Sequence, residues 1–194
     1  MRLPGSAEGL AVGGGYLWVT SPSDSGGRDS LSWIDLGTRR LVSSVRVGSL
    51  PLYMTFGYGA AWVTNYKGDS VSVVRPGSAQ AETVPVGSGP LGVAAGADGI
   101  WVVSFWPREV ARIDPETRRV VRRIPVGDGP LAVAVGGGAV WVTNRDDRSI
   151  TRIDPTTNRV TGTIRLGAPP HGVRFAHGRL WVTTQKCGSP IAAC

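Results

Sequence analysis

Long apolar segments are missing from this sequence of 194 residues. No run approaches the roughly 20 apolar residues that a membrane-spanning helix needs, so a transmembrane helix is excluded. The first five residues also lack the apolar stretch of a signal peptide. We therefore expect either a protein that stays inside the cell or one whose export signal lies outside this sequence.

Cysteine is almost absent, and Cys187 and Cys194 both fall in the last eight residues. The two thiols are candidates for a small disulfide loop, as in exported proteins, and this would favour an extracytoplasmic location. Free thiols, or pairing with cysteines outside this sequence, remain alternatives. No metal site is predicted, because two cysteines are too few ligands and neither His171 nor His177 has zinc-finger spacing.

Lysine is nearly absent too, so the net charge of +7 comes almost entirely from arginine. Such a charge permits acidic partners, but the arginines are scattered along the chain instead of forming one basic patch. Nucleic-acid binding is therefore not favoured. The densest group is expected to be a solvated sheet edge, and it comprises Arg118, Arg119, Arg122 and Arg123.

One unit of about 40 residues is repeated along the whole chain, and a tryptophan marks each copy. The spacings between these tryptophans are 44, 39, 40 and 40 residues, by subtraction of Trp18, Trp62, Trp101, Trp141 and Trp181. Within a unit the apolar residues alternate with period 2, in four short runs separated by turn residues. Four antiparallel strands per repeat predict the blades of an all-β propeller. The tryptophans are predicted to lie in the core between neighbouring blades.

The repeated motifs resemble the YVTN repeat family of YncE-like propellers, and the related streptogramin (virginiamycin B) lyases. The matching motifs are Gly-Val-Ala-Val-Gly, Trp-Val-Thr-Asn, Arg-Ile-Asp-Pro and Val-Gly-x-x-Pro, and they extend from about Gly9 to Thr184. The resemblance implies a β-propeller of about seven blades. It does not imply one function, because such propellers host many roles.

The predicted ring does not close within this sequence. A single propeller domain is expected, with blades at about 9–48, 52–87, 91–127 and 131–167, half a blade at 171–184 and a tail at 185–194. Seven blades would need about 280 residues. We therefore expect a fragment of a longer chain. A ring completed by a second copy or another chain is the alternative, and open blade edges would favour self-association.

Candidate site residues come from the end of the propeller that carries the B-to-C and D-to-A loops, where strands A to D run from the axis outward. One residue per blade enters strand A there, and Glu8 and His171 replace the leucine of the other three blades. A carboxylate and an imidazole at one channel mouth are able to bind a cation or transfer protons. The alternative is that Glu8 frays and His171 only bonds a neighbouring loop.

The B-to-C loops themselves differ most between blades. The candidates for binding a ligand or partner are Tyr66 in blade 2, Phe105 and Trp106 in blade 3, and Arg145 in blade 4. Exposed aromatic and arginine side chains are common anchors of interfaces. The alternative for Phe105 and Trp106 is that they fold over the seam between blades 3 and 4.

Two functions follow from these residues. The first is a non-catalytic scaffold or sensor module that binds a protein or small ligand at its loop-bearing end and needs no cofactor. The second is implied by the resemblance to streptogramin lyases, which use histidines, a glutamate and magnesium; the segment 170–172, Pro-His-Gly, is similar to a segment of theirs. No catalytic residue is assigned, since His177 is expected in an A-to-B turn at the opposite end from His171.

The repeated aspartates are not expected to form a site. Asp35, Asp114 and Asp154 are expected to stabilise turns.

Overall fold

Eighteen strands make up almost all of the regular structure in the computed structural model, which describes residues 6–23 and 29–185. They form four antiparallel sheets of four strands and one sheet of two. The all-β fold with four and a half blades is thereby confirmed. Cys187 and Cys194 lie outside the described residues, so their disulfide stays a prediction. None of the helical structure in the described ranges is long and apolar enough to cross a bilayer.

Each sheet takes its strands in chain order, so that every blade is a simple meander. Blade 1 consists of β1 (Leu10–Gly13), β2 (Tyr16–Ser21), β3 (Ser30–Asp35) and β4 (Leu41–Arg46). Blade 2 consists of β5 (Pro51–Gly57), β6 (Ala60–Asn65), β7 (Ser70–Val74) and β8 (Glu82–Pro85), with a 3-10 turn at Tyr66–Gly68. Blade 3 consists of β9 (Pro90–Gly96), β10 (Gly99–Ser104), β11 (Glu109–Asp114) and β12 (Arg119–Pro125). Blade 4 consists of β13 (Pro130–Gly136), β14 (Ala139–Asn144), β15 (Ser149–Asp154) and β16 (Arg159–Arg165), and blade 5 of β17 (Pro170–Ala176) and β18 (Arg179–Thr184).

Two-residue turns join strands A and B in every blade. Both turn residues have a left-handed backbone, as at Gly137 (φ 62°) and Gly138 (φ 69°), which is the geometry that type I′ hairpins require. In blade 5 the same turn holds His177, at φ 51°. His177 therefore lies at the opposite end of the blade from His171, as predicted.

The hydrophobic core lies between the blades, in one cluster for each junction. Trp18 and Phe56 pack between blades 1 and 2, Trp62 and Ile113 between blades 2 and 3, and Trp101 between blades 3 and 4. The three tryptophans are 0–1% exposed, so their prediction as core residues is confirmed. Burial of a large aromatic side chain is worth several times that of a methyl group, so these junctions dominate the stability.

A glycine at the end of strand A gives each junction its close fit. The carbonyl of Gly13 accepts the indole N–H of Trp18 at 3.0 Å, and the same bond recurs in blades 2 to 5. A Cβ at Gly13 would lie 2.1 Å from Phe56 of the next blade, and one at Gly136 would lie 2.3 Å from Phe175. The glycine thus fixes the tryptophan and admits the side chain of the following blade.

The prediction that Trp181 belongs to the core is wrong, and Trp141 is only half-buried. Trp181 is 57% exposed although its indole N–H still bonds a strand-A carbonyl, that of Ala176, at 3.3 Å. Strand-B tryptophans face the next blade along the chain, and no further blade follows blade 5 in the described residues. Whether another blade packs against it, and not the repeat motif, decides the exposure of this ring.

The arginine group of blade 3 is only partly a solvated edge, which corrects the prediction from sequence. Arg118 forms an ion pair with Glu82 of blade 2. Arg123 donates to the carbonyl of Val86 at 2.6 Å and pairs with Glu109. These two arginines therefore connect blade 3 to blade 2. The sequence of a single strand does not indicate such contacts, because they involve residues of another blade.

Three aspartates end strand C of their blades and hold the C-to-D turns, as predicted. In blade 4, Asp154 accepts the backbone N–H of Thr156 at 2.8 Å and the hydroxyl of Thr157 at 2.9 Å. These bonds, that of the Thr156 backbone first, lower the pKa of the Asp154 carboxyl. Asp35 and Asp114 are held in the same way, with lowered pKa values of the same origin.

We expect Trp101→Ala to lower the free energy of unfolding by about 3–5 kcal/mol, because it empties a buried site. Trp181→Ala is the matched control and should cost less than about half as much, since most of that ring already contacts water. Guanidinium denaturation of both variants measures the difference. Equal losses would contradict the assignment of the core to the junctions.

Acid should weaken the C-to-D turns through their aspartates. A carboxyl whose pKa is lowered on folding stabilises the protein above about pH 4, and this contribution is lost as the pH falls through the folded-state pKa. Asp154→Asn should therefore be less stable than the wild type at pH 7 and should lose less stability on acidification below about pH 4. Thermal melts from pH 2.5 to 7 test this, with the exposed Glu116→Gln as control; parallel curves would refute it.

Candidate functional site

The loop-bearing end of the molecule is built by backbone bonds between neighbouring connections. In blades 2 to 4, the N–H at the start of the B-to-C loop donates to the carbonyl of the preceding D-to-A connection, as Phe105 does to Gly89 at 3.1 Å. Tyr66 bonds Leu50 and Arg145 bonds Gly129 in the same way, at 3.0 and 2.8 Å. Side chains that differ between blades are thus displayed on a repeated and rigid backbone.

An aromatic group of Tyr66, Phe105 and Trp106 occupies this end at the junction of blades 2 and 3. The rings of Phe105 and Trp106 meet edge to face, with centroids 5.1 Å apart and planes at 90°. Trp106 is 67% exposed, whereas Tyr66 and Phe105 are half-buried. The structure therefore brings Tyr66 close to Phe105 and Trp106, which the sequence had proposed as a pair on a different loop.

Gly89 lies directly beneath two of these rings, those of Tyr66 and Trp106. A Cβ at Gly89 would lie 3.0 Å from Cδ1 of Trp106 and 3.3 Å from Cε2 of Tyr66. Trp106 therefore lies over the connection between blades 2 and 3, and not over the seam between blades 3 and 4 as the alternative supposed. The Gly89 N–H donates to Oδ1 of Asp69 at 3.1 Å, which fixes this left-handed connection (φ 63°) from below.

Sequence reasoning missed Gly89 and Asp69, which support the aromatic group without belonging to it. A signal for both was present. Gly89 precedes the first proline of strand A, at a position where blade 4 also has glycine. Asp69 comes at the end of the short polar stretch before the next β-rich run, where an aspartate is able to accept from a nearby N–H.

Glu8 and His171 are both exposed at the entrance to strand A, as their alignment requires. The backbone of Glu8 donates to the carbonyl of Thr20 at 3.1 Å, and the carbonyl of His171 accepts the Thr143 hydroxyl at 3.1 Å. Burial raises the pKa of the Tyr53 hydroxyl, and the charge of Glu8 raises it further, so Glu8 lies beside blade 2. No bond joins the side chains of Glu8 and His171 in the described ranges, and a joint site for them stays a prediction.

Arg145 projects from the corresponding loop of blade 4 but pairs with its own neighbour. Its Nε lies 2.9 Å from Oδ1 of Asp146, and both side chains are close to half-exposed. Such a surface pair adds about 0–1 kcal/mol to stability. Arg145 shares the loop-bearing end with the aromatic group but has no recorded bond to it.

None of these candidates lines either of two cavities in the described part of the molecule. One of about 460 Å³ opens at the A-to-B end between blades 2 and 3, and its lining includes Tyr58, Arg75 and Asp114. The other, of about 640 Å³, is lined by Leu10, Val12 and Phe56 with Arg174 of blade 5 facing them. Within residues 6–23 and 29–185 no three His, Cys, Asp or Glu side chains are grouped so that they could hold a metal ion.

Comparison with solved structures agrees with this architecture. A chain of Kuenenia stuttgartiensis hydrazine synthase is similar over 100% of this chain and 60% of its own, at 22% identity and a TM-score of 0.79. Apo AztD from Citrobacter koseri is similar over 88% of this chain and 50% of its own, at 17% identity and a TM-score of 0.69. Glutaminyl cyclase of Myxococcus xanthus is similar over 92% of this chain and 85% of its own, at 14% identity and a TM-score of 0.58.

The chain is a β-propeller. This conclusion concerns the fold, because the hydrazine synthase and AztD chains are propellers but share too little sequence identity to convey a function. The chain spans 60% of the hydrazine synthase chain and about half of the AztD chain. No family model and no curated protein matches this sequence.

The Gly89→Ala variant tests whether Trp106 and Tyr66 pack against Gly89. We expect a loss of stability of about 1–2 kcal/mol from the left-handed backbone, plus a further loss from contact of the new methyl with Trp106 and Tyr66. Gly138→Ala is the matched control, since its φ of 69° is similar and a Cβ there meets nothing within 4 Å. Urea denaturation and tryptophan emission compare them. If the two variants lose equal stability and leave the emission unchanged, the packing of Trp106 on Gly89 is wrong.

Proposed function

We propose that this propeller is a non-catalytic YVTN-type scaffold that binds a protein partner through its loop-bearing end. The observation that carries the proposal is the exposure of Trp106, at 67%, on a rigid support. The strand-B tryptophans are buried where one blade packs against the next, and their burial stabilises the fold. Trp106 does not belong to that repeated set, so its exposure requires a different explanation. Partner binding supplies one, because tryptophan and tyrosine are enriched among the residues that contribute most to interfaces.

Preorganisation supports the same conclusion. Trp106 is fixed by its edge-to-face contact with Phe105 and by its position over Gly89, so little side-chain entropy is lost when a partner covers it. Arg108 follows Trp106 in the same loop and forms an ion pair with Asp128. Its Nε lies 3.0 Å from Oδ1 of Asp128, and both side chains are exposed. An aromatic centre with a polar, hydrated rim is the usual anatomy of a protein interface.

The partner that fits best is a peptide segment with an apolar side chain. The aromatic group offers an apolar surface at one junction and not a deep pocket, and the cavities described above lie elsewhere. The lyase alternative gains no support from the geometry, since His171 and His177 lie at opposite ends of blade 5. It retains a direct test, because a magnesium site would raise the melting temperature when magnesium is added, and His171→Ala would abolish the rise.

Selection from a displayed library of linear peptides tests the proposed binding surface. We expect selected peptides to lose at least about tenfold in affinity for Trp106→Ala, because the central aromatic contact is removed. Leu36→Ala is the control, since Leu36 is 48% exposed in a C-to-D turn at the opposite end. Peptides that bind Trp106→Ala as tightly as the wild type, or a failure to select any, would overturn the proposal.

A further inference from the structure

The cavity of about 460 Å³ at the A-to-B end collects residues at which blades 2 and 3 depart from the repeat. The A-to-B and C-to-D turns of both blades form its wall, and the residues that line it are Tyr58, Arg75, Asp98, Asp114, Pro115 and Glu116. Its volume falls within the range of about 300–1,000 Å³ that is usual for small-molecule sites. In a repeat protein, a residue that departs from the repeated sequence without serving the fold marks a place where function is to be sought.

Asp98 occupies a turn position at which every other blade has glycine. The second residue of the A-to-B turn in those blades is Gly15, Gly59, Gly138 or Gly178. The backbone of Asp98 is left-handed (φ 53°), a conformation that glycine adopts at no steric cost. The Asp98 carbonyl accepts from Arg112 at 3.0 Å, but the carboxylate has no hydrogen bond or ion pair within residues 6–23 and 29–185. The turn therefore gives no reason for this carboxylate.

Arg75 stands where blades 1, 3 and 4 have the aspartate that holds the C-to-D turn. An arginine side chain has no acceptor for the backbone N–H groups of such a turn. In blade 2 the turn is closed by the Ser78 N–H, which donates to the carbonyl of Arg75 at 3.0 Å. The Arg75 side chain is exposed, and it pairs with no acidic side chain in the described part of the chain. Arg75 is thus a second charged residue that the local fold does not use.

Tyr58 spans the two blades at the same cavity. It is the first residue of the A-to-B turn of blade 2, with a left-handed backbone (φ 53°) at a position where blades 1 and 4 have glycine. Its hydroxyl accepts the Gly99 N–H of blade 3 at 3.1 Å, which fixes the ring between the two turns. The ring remains 46% exposed. An aromatic ring that lines a cavity together with carboxylates favours an organic cation, through a cation–π contact.

Among the described residues, the lining holds one guanidinium and two carboxylates that have no partner, those of Arg75, Asp98 and Glu116. Asp114 differs, because its carboxylate accepts the N–H groups of Glu116 and Thr117 at 2.9 and 2.7 Å and so holds its turn. A ligand that complements these groups carries one carboxylate and two cationic groups. Free lysine and free arginine have this set of charges at neutral pH.

We propose that the cavity between blades 2 and 3 binds a free basic amino acid. Arg75 binds the α-carboxylate, Asp98 and Glu116 bind the two cationic groups, and the Tyr58 ring packs beside the ligand. This site lies at the opposite end of the molecule from the aromatic group of Tyr66, Phe105 and Trp106, and it does not depend on the binding of a protein partner there.

Isothermal titration of the full chain with L-lysine and three analogues tests the ligand. We expect L-lysine to bind at one site with a Kd below about 1 mM, and each analogue to bind at least about tenfold more weakly. Norleucine lacks the side-chain ammonium, and cadaverine lacks the carboxylate. Nα-acetyl-lysine lacks the α-ammonium, as does the carboxyl-terminal lysine of a polypeptide.

Two variants that restore the residue of the other blades test the site. Asp98→Gly and Arg75→Asp should each weaken L-lysine binding at least about tenfold. Neither should lower the melting temperature of the chain without ligand, because glycine and aspartate serve the same turns in the other blades. Arg75→Asp should not weaken the binding of cadaverine, which has no carboxylate for Arg75. Arg40→Asp is the matched control, since Arg40 is exposed in the C-to-D turn of blade 1, outside the cavity, and its affinity for L-lysine should equal that of the wild type.

Four results would overturn the proposal. The first is an absence of L-lysine and L-arginine binding, and the second is equal binding by the wild type and by both cavity variants. The third is cadaverine or Nα-acetyl-lysine binding as tightly as L-lysine, since the ligand would then be any organic cation or the carboxyl terminus of a polypeptide. The fourth is a lower melting temperature of Arg75→Asp and Asp98→Gly without ligand, together with unchanged binding, because both charges would then serve the junction of the blades.

Discussion

The contact between a strand-B tryptophan and strand A of the next blade is the interaction on which this molecule depends. Each blade alone is a small meander with two apolar faces, and neither face is buried until a neighbour packs against it. Trp101 shows the arrangement, with its ring in the core and its N–H bound to the carbonyl of Gly96. Because glycine ends strand A, the following blade approaches closely enough to exclude water.

The same repetition separates the residues that hold the fold from the loop residues that differ between blades. The backbone of each junction is fixed by bonds that recur from blade to blade, such as those that join the B-to-C and D-to-A loops. Side chains in these loops are therefore free to vary without loss of the fold. Blade 3 displays Phe105 and Trp106 where blade 4 displays Arg145 and Asp146. The chemical character of the surface at this end is set by which side chains the neighbouring loops bring together.

The two ends of the blade row differ from the interior for a physical reason. An interior blade has a partner on each face, whereas blade 1 and blade 5 each present one uncovered face in the described residues. On blade 1, Leu10 and Val12 are 62% and 65% exposed. Their counterparts in blade 2, Met54 and Phe56, pack against the core cluster between blades 1 and 2. In the first and last described blades, apolar residues are therefore exposed at repeat positions that are buried or half-buried in the interior blades.

Much of the fold was predictable because its determinants are local and recur five times. The period-2 runs, the turn at Asp154 and the placement of His177 in an A-to-B turn follow from residues within one repeat. The candidate site was predictable only as single loops, with Phe105 and Trp106 as a pair on one loop and Tyr66 on another. The meeting of Tyr66 and Trp106 over Gly89 joins loops of different blades, and no pattern within a single repeat encodes it. Asp69 was missed although an aspartate at a loop end is a recognisable acceptor, since only the structure shows that the N–H it accepts is that of Gly89.

The sequence by itself determined the strands, their turns and the column of tryptophans, because each depends on residues close in the chain. Only the tertiary structure decided which of these tryptophans are buried, since Trp101 and Trp181 share a motif and differ in whether a further blade follows within the described residues. It likewise decided that Arg118 and Arg123 tie two blades together and that Arg119 and Arg122 remain exposed. Burial and pairing are properties of neighbours in space, and the repeat specifies those neighbours only where another blade is present.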